Sequence, residues 1–188
     1  MRITAGRLRG KRLEAPPGQA VRPTSDRARE ALFNVLVHRF QGNGRFTLVG
    51  ARVLDACAGT GALGLEALSR GAAHVTFLDR DPAQVGALQE LARAWGIAAE
   101  TTVSRADVTR PPPAPAPCAL VLMDPPYGQD LAKPALVALD RAGWIAPDAL
   151  CVVETDRHDP LEPPAGFTLA DDRAQGRARL RILRRDGA

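Results

Sequence analysis

The sequence predicts an α/β fold with an open, mostly parallel β-sheet. From residue 51 onwards, short apolar stretches alternate with patterns of helical period, an order that indicates successive βαβ units. A G-x-G-x-x-G stretch at residues 59–64 joins the first of these strands to its helix, and a later strand ends abruptly in Asp124-Pro125-Pro126. The 188 residues are 45% hydrophobic and 24% charged, so the chain can bury a globular core. In sheets of this kind, ligands bind at the carboxyl ends of the strands.

The excess positive charge lies in the first 30 residues, which hold eight Lys or Arg against three Asp or Glu. Short segments around residues 3–4 and 12–14 flank a basic stretch, which predicts a basic β-hairpin arm over residues 1–20 and a single domain over residues 21–188. Such a block either meets a polyanion or serves only as a solubilising surface. The candidate phosphate contacts, which could flank the ligand pocket, are Arg7, Arg9, Lys11 and Arg12. The alternative RNA-binding strand is a late one that carries Arg177, Arg179 and Arg181.

A helix is predicted after the Pro16-Pro17-Gly18 break, because apolar residues recur at helical spacing from Ala28 to Leu36. Thr24, Ser25 or Asp26 can cap it, and glycines at 42 and 44 should end it. Residues 51–57 then form a short apolar strand that runs directly into the glycine stretch. The helix that follows should end at Gly71.

A second strand, residues 74–78, ends in Asp79, which stands 20 residues after Gly59. An acidic residue at that spacing is typical of a ribose ligand. Asp81-Pro82 can cap and begin the next helix, and a third strand follows near residues 101–103. Asp107 comes after that strand, where it could meet an adenine amino group or simply be solvated.

The second half of the chain continues the alternation after an extended proline connector at residues 111–117. A strand is predicted at 119–123, a helix at 131–142 and a buried strand at 149–154. Two late strands are predicted at 167–169 and 178–183. The second alternates apolar residues with arginine, which predicts one solvent-facing side.

The turn Asp124-Pro125-Pro126-Tyr127 is the candidate catalytic site. Two prolines cannot continue a central strand, so the Asp124 carboxylate and the Tyr127 ring should project from the strand's carboxyl end. Carboxylate and carbonyl oxygens beside an aromatic ring suit a flat group that carries an NH2. The alternative is a strand-ending turn with a core tyrosine.

The glycine stretch admits either NAD or S-adenosylmethionine as cofactor. Asp55, at the end of the first strand, would repel the pyrophosphate of NAD but attract an ammonium and a sulfonium. We therefore predict an S-adenosylmethionine site that is formed by Asp55, Gly59, Gly61, Gly64, Asp79 and Asp107. An NAD-dependent oxidoreductase and a non-catalytic RNA-binding assembly factor remain as alternatives.

The cysteines and histidines carry no pattern of a disulfide framework or a metal site. Cys57, Cys118 and Cys151 are odd in number and lack paired spacing, so we expect reduced thiols, no metal and a cytoplasmic location. No stretch approaches the roughly 18 apolar residues that cross a bilayer.

Several motifs together resemble one family. These are Arg22-Pro23-Thr24, Asp26-Arg27, Arg29-Glu30, Phe33-Asn34, the segment Asp55 to Gly64, Asp124 to Tyr127, Gly143-Trp144 and Val153-Glu154. The chain resembles the bacterial guanine-N2 methyltransferases of small-subunit (16S) ribosomal RNA over nearly its whole length. The proline connector departs from the family pattern, since many relatives are more helical there.

The resemblance implies a class I S-adenosylmethionine-dependent methyltransferase fold, Rossmann-like, with a seven-stranded sheet whose last strand is antiparallel and a small amino-terminal β-hairpin. It adds Thr24 and Arg27 to the cofactor site and implies that Asp124 and the Pro125 carbonyl hold the amine while Tyr127 stacks on the base. The implied partner is ribosomal RNA in an assembling small subunit, and the enzyme is expected to be a monomer. Adenine-N6 transfer to a nucleic acid remains an alternative, since the same turn suits it.

Overall fold

A computed structural model describes residues 1–13, 25–40, 46–126, 128–159 and 161–187. Its centre is a seven-stranded sheet in the order β3-β2-β1-β4-β5-β7-β6. The strands are β1 Arg52–Ala56, β2 His74–Asp79, β3 Thr101–Arg105, β4 Cys118–Met123, β5 Ile145–Asp156, β6 Phe167–Gln175 and β7 Ala178–Arg185. Strands β1 to β5 are parallel, whereas β7 is antiparallel to both β5 and β6. The predicted α/β class, strand number and antiparallel last strand are confirmed.

Within the described ranges, four α-helices cover the two faces of this sheet. They are α1 Asp26–Val35, α2 Ala62–Ser69, α3 Pro82–Ala94 and α4 Ala132–Arg141. Leu32, Leu65 and Leu88 place the first three helices in one core layer, while Leu136 and Leu139 place α4 in the layer on the other face. Because both faces are covered, the central strands are continuous apolar runs.

Polar caps set the beginnings of α1 and α3. The Ser25 Oγ accepts a hydrogen bond from the Ala28 N–H (3.2 Å), and the Asp81 Oδ1 accepts one from the Ala83 N–H (2.8 Å). Both caps satisfy N–H groups that have no partner inside the helix. A π-helical turn, Leu36–Phe40, extends α1. The predicted stop at residues 42–44 lies outside the described residues.

Residues 1–13 form the predicted amino-terminal hairpin. The Ile3 N–H donates to the Lys11 carbonyl (3.0 Å), the Gly10 N–H to the Ile3 carbonyl (2.9 Å) and the Leu13 N–H to the Met1 carbonyl (3.0 Å). Ile3, Leu8 and Leu13 are buried in the core layer of α1 to α3. The hairpin therefore packs against the sheet domain instead of projecting from it. The rest of the predicted arm, residues 14–20, lies outside the described residues.

A buried ion pair ties the hairpin to two helices. The Glu66 carboxylate in α2 accepts hydrogen bonds from the Thr4 N–H (2.9 Å), the Arg29 Nε (3.2 Å) and the Arg70 Nε (2.8 Å). The side chain of Arg29 is fully buried and also donates to the Asp26 carboxylate (3.0 Å). Buried charges persist only when they are paired and hydrogen-bonded in this way.

The proline connector at residues 111–117 contains no helix or strand, as predicted. The Trp144 Nε1 donates to the Pro112 carbonyl (2.8 Å), and the Ala114 N–H donates to the Ala142 carbonyl (2.8 Å). These bonds hold the crossover from β3 to β4 against the end of α4. None of the helices in the described ranges has the length and apolar character needed to cross a membrane.

Strand β7 differs from its prediction, because its arginines do not all face solvent. The strand lies inside the sheet between β5 and β6, and Arg181 in its middle is only 4% exposed. Strand β6 is longer than predicted and continues through Asp171 and Asp172. The Asp172 carboxylate pairs with Arg179 on β7 (2.7 Å), which compensates charge along this edge of the sheet.

Candidate active site

Three carboxylates lie close together at the carboxyl ends of neighbouring strands. Ala56 at the end of β1 is in register with Leu78 on β2 and with Met123 on β4. Asp79 and Asp124 follow those two residues directly, and Asp55 precedes Ala56. Burial raises the pKa of the nearby Cys57 thiol to about 12, and the charges of these three aspartates add to that effect. This end of the sheet is therefore acidic.

Asp55 fixes the start of α2. It is buried, and its Oδ2 accepts a hydrogen bond from the Gly64 N–H (2.7 Å), in the first turn of the helix. Burial raises the pKa of Asp55 well above its ordinary range, and the charges of Asp124 and Asp79 raise it further. The Gly64 N–H lowers that pKa by favouring the ionised form, as expected for an acid at a helix N-terminus.

The three motif glycines have different roles. A Cβ on Gly64 would lie 2.5 Å from Cε1 of Phe77, and one on Gly61 would lie 2.5 Å from Cδ2 of Leu88. These two glycines allow the loop and α2 to approach the sheet and α3. A Cβ on Gly59 would have no neighbour within 4 Å. Only Gly59 thus leaves open space where a ligand could approach the backbone.

Asp79 holds the other side of the glycine loop. Its Oδ2 accepts a hydrogen bond from the Gly59 N–H (2.8 Å), and its Oδ1 accepts one from the Asp81 N–H (2.9 Å). Each carboxylate oxygen has a second lone pair, so the half-buried side chain can still accept ribose hydroxyls.

Asp124 follows β4 beside a second acid at the end of β5. Met123 is in register with Val153, which places Asp124 next to the buried Glu154. Burial, and then the charge of Glu154, raise the pKa of Asp124 to about 8. Perturbed acids of this kind are typical of catalytic sites. Pro125 is buried in the turn, and Tyr127 lies outside the described residues.

A cavity of about 260 Å³ opens beside this turn. Its walls are the turn itself, the beginning of α4, and the end of β5 with residues that follow it. Its lining includes Pro125, Leu131, Lys133, Thr155, Asp159 and Leu161. The volume is slightly below the roughly 300–1,000 Å³ of pockets for drug-sized ligands, which suits a smaller flat group.

The other three predicted cofactor residues are either exposed or outside the described residues. Asp107 is exposed, and its Oδ1 accepts hydrogen bonds from the Thr109 N–H (2.9 Å) and Oγ1 (2.7 Å). These bonds lower the pKa of Asp107. Arg27 is exposed in the first turn of α1, and Thr24 lies outside the described residues. Their contacts with a cofactor stay predictions.

The tip of the basic hairpin lies far from the cavity. The Arg7 N–H donates to the carbonyl of Ser69 (2.9 Å), the last residue of α2. Helix α2 begins at the glycine loop and runs about 12 Å away from the strand ends. Arg7 also contacts Glu100, just before β3, and the Lys11 Nζ lies 4.9 Å over the Trp95 ring. The expectation that these cations flank the pocket is wrong for the hairpin tip.

The arginines of the alternative RNA-binding strand are either buried in the sheet or paired with carboxylates. Arg177 pairs with Asp156 (3.0 Å) and Arg179 with Asp172, while Arg181 is buried. Arg9 and Arg12 of the hairpin are exposed. Their contact with a polyanion stays a prediction.

Sequence reasoning named Glu154 only within the Val153-Glu154 motif and Arg181 only as part of the alternative RNA-binding strand. It did not place Glu154 beside Asp124 or Arg181 against Thr155 and Asp159. Glu154 follows the apolar run of β5 as Asp124 follows that of β4, so the parallel pairing of the two strands could have identified it. For Arg181 no local signal was available, because its burial depends on the position of β7 in the sheet. Within the described ranges, no three His, Cys, Asp or Glu side chains are grouped so that they could hold a metal ion.

Comparison with known proteins agrees with this architecture. The family model described as conserved hypothetical protein 95 matches residues 1–184. The ribosomal RNA small subunit methyltransferase D of Haemophilus influenzae is 33% identical over 186 residues, which cover 97% of this chain and 92% of the relative. The Escherichia coli K12 protein of the same name is 33% identical over 99% of this chain and 90% of its own length.

Solved structures match the whole fold. The yhhF protein of Escherichia coli has a TM-score of 0.82 at 33% identity, with 100% of this chain and 99% of that chain covered. A hypothetical protein of Thermus thermophilus has a TM-score of 0.73 at 29% identity, with 100% and 99% covered. On the family model and these near full-length similarities, the chain belongs to the family of the ribosomal RNA small subunit methyltransferases D.

Proposed function

We propose that the protein transfers a methyl group from S-adenosylmethionine to the exocyclic N2 amine of a guanine in small-subunit ribosomal RNA. The observation that carries this proposal is the turn after Asp124, whose Pro125 and Pro126 line a cavity of about 260 Å³ next to a carboxyl group with a raised pKa. Membership of the methyltransferase family supports both the reaction type and the RNA substrate.

The acidic strand ends fit this cofactor better than a dinucleotide. In their ionised forms Asp55, Asp79 and Asp124 attract an ammonium and a sulfonium, which in turn favour those ionised forms, whereas the same carboxylates would repel a pyrophosphate. Gly59 leaves space for the cofactor to approach the backbone, and Asp79 can accept the ribose hydroxyls. Asp107 is the candidate contact of the adenine amino group. Thr24 and Arg27 complete the proposed site near the start of α1.

When bound, S-adenosylmethionine supplies an electrophilic methyl group. The Asp124 carboxylate and the Pro125 carbonyl accept the two hydrogens of the target amine. These bonds draw the nitrogen lone pair out of conjugation with the base and aim it at the methyl group. Tyr127 stacks on the base, an assignment that rests on the sequence alone.

Asp124 can also take the proton that the nitrogen loses. With a pKa of about 8 it is a suitable base near neutral pH, and a neighbouring cation favours its ionised form. The target guanine must leave its stack to reach this turn, and the cavity next to Pro125 can receive one base. We further propose that the enzyme is a cytoplasmic monomer that needs no metal and acts on an assembling small subunit.

Transfer to the N6 amine of adenine is the second candidate, because that amine offers the same two hydrogens to the same acceptors. The test is incubation with isotopically labelled S-adenosylmethionine and unmodified small subunits, naked ribosomal RNA or DNA, followed by mass mapping of the nucleosides. We expect N2-methylguanine in ribosomal RNA. Label on adenine would favour the second candidate, and binding without any transfer would favour a non-catalytic assembly factor.

Calorimetry tests the cofactor separately. We expect saturable binding of S-adenosylmethionine or of its demethylated product, and negligible binding of NAD. Tight binding of NAD in place of S-adenosylmethionine would support an oxidoreductase.

A further inference from the structure

The outer wall of the cavity is formed by the end of β5 and by described residues that follow it. Thr155 lies in β5 and pairs with Arg179 of β7, whereas Asp159 and Leu161 lie beyond the strand; all three line the cavity. Within this wall, the Asp159 N–H donates to the Asp156 carbonyl (3.1 Å) and the Leu161 N–H to the Asp159 carbonyl (3.0 Å). The sheet holds Thr155, and the Arg157 N–H donates to the Arg177 carbonyl (2.8 Å). The local turns beyond Arg157 do not by themselves fix the distance between Asp159 and the Asp124 turn.

One side chain of β7 connects that wall to the sheet. The Arg181 Nη1 donates to the Thr155 Oγ1 (2.8 Å), and its Nη2 donates to the Asp159 carbonyl (2.7 Å). The planar guanidinium holds both oxygens in a fixed relative geometry. Both residues that it contacts line the cavity.

If this position served packing alone, a buried guanidinium would cost more desolvation free energy there than an apolar side chain. Arg181 is 4% exposed, and the nearest carboxylate oxygen, of Asp172, is 3.8 Å from its Nε. Apolar residues of similar volume are often as stabilising as buried charges, and the flanking Leu180 and Ile182 are apolar. The charged group is therefore best explained by the two wall contacts that only a long donor side chain can make.

We propose that Arg181 is a positioning residue for the target base: by fixing Thr155 and Asp159, it sets the wall that faces the Asp124 turn across the cavity. This inference rests on the proposed function, since it assigns the cavity to the base. Arg181 touches neither the base nor the cofactor in this scheme and acts only through the wall.

The test compares Arg181→Met with Arg181→Lys and with a control, Arg185→Met. Arg185 lies on the same strand and the same side of the sheet and also makes an ion pair, with Asp140 (2.8 Å), but at the other end of the strand. We expect Arg181→Met to lower kcat/KM for the RNA substrate about 10- to 100-fold, the effect of an ångström-scale misplacement. S-adenosylmethionine affinity should be unchanged. Arg181→Lys should recover part of the loss, and Arg185→Met should stay within about twofold of the wild type.

Hydrogen exchange supplies a readout independent of turnover. The amides of residues 156–159 should exchange faster in Arg181→Met than in the wild type or in Arg185→Met. Normal RNA kinetics in Arg181→Met would overturn the proposal. So would a parallel loss of cofactor affinity and turnover, which would mean that Arg181 only supports folding.

If Arg181→Met fails to fold, Thr155→Val decides, because it removes one of the two wall bonds and nearly preserves the shape. We expect it to lower kcat/KM about 3- to 10-fold, the range of a single hydrogen bond. Unchanged kinetics would overturn the proposal. Absence of RNA methylation by the wild type would instead refute the proposed function and remove the basis of the inference.

Discussion

Replacement of Asp124 by asparagine should abolish methyl transfer and make the protein more stable at alkaline pH. Asparagine has nearly the same shape as aspartate, but its amide can neither ionise nor take a proton from the target amine. The wild-type carboxylate is largely buried beside Glu154, so its ionised form is disfavoured in the folded protein. The variant removes that cost together with the catalytic group, as expected where function is maintained at the expense of stability.

The size of the effect follows from the pKa of Asp124. The difference between about 8 and the ordinary 3.8 corresponds to ~6 kcal/mol if all of it opposes folding. Solvent reaches part of the side chain and screens its charge, so we expect ~2–3 kcal/mol. For a protein of this length, that equals a rise in Tm of about 5–10 °C.

The sign of this effect depends on pH. The unfolded chain releases the Asp124 proton near its ordinary pKa of 3.8, whereas the folded protein keeps it until about pH 8. Wild-type stability from this group therefore falls as pH rises through that window, because the unfolded state binds fewer protons. The stability difference between variant and wild type should be near zero at pH 4 and reach its full size above pH 8.

Denaturant unfolding at pH 5, 7 and 9 measures this difference directly. A useful control is Glu90→Gln, which removes an exposed carboxylate on α3 and reports any effect of net charge alone. A stability difference that does not grow with pH would refute the electrostatic argument. Methylation retained by Asp124→Asn would refute the catalytic assignment.

Three further substitutions test the loop, the paired acid and the hairpin. Gly64→Ala should destabilise the fold by ~1–3 kcal/mol in thermal unfolding, because the added Cβ has three neighbours closer than 3.0 Å. Glu154→Gln should move the acid limb of the kcat/KM profile to lower pH, because loss of the neighbouring charge lowers the pKa of Asp124; an unmoved limb would contradict this. Alanine at all four hairpin cations should weaken RNA binding and leave S-adenosylmethionine affinity unchanged. The salt slope should fall by about two phosphate contacts, those of Arg9 and Arg12, and an unchanged slope would identify the arm as a solubilising surface.

Most of the sheet could be predicted because its signals are local. Apolar runs end in a polar residue or a proline where each parallel strand ends, and helix caps such as Ser25 and Asp81 lie within three residues of the groups they satisfy. The spacing from Gly59 to Asp79 reflects a direct contact, the hydrogen bond from the Gly59 N–H. Local patterns of this kind can be interpreted without knowledge of the rest of the fold.

Features that depend on long-range pairing could not be predicted in the same way. The alternating arginines of β7 predicted a solvent-facing side, yet Arg181 is buried because the strand lies between β5 and β6. The hairpin was predicted as a basic arm that could flank the pocket, but its tip is fixed against Ser69 at the far end of α2. Polar residues such as Asp171 concealed the length of β6, because an edge strand has no continuous apolar pattern.

The three strand-end aspartates carry the same chemical group, but their different hydrogen bonds give them different roles. Asp55 and Asp79 accept bonds from backbone N–H groups of the glycine loop, so their charges also build the loop. Within the described part of the chain, no residue donates a hydrogen bond to Asp124, and burial beside Glu154 raises its pKa. A carboxylate in that state gains most from an incoming donor, because each new N–H bond favours its ionised form. Binding of an amine and ionisation of Asp124 should therefore support each other, which makes this turn selective for a substrate that presents an NH2.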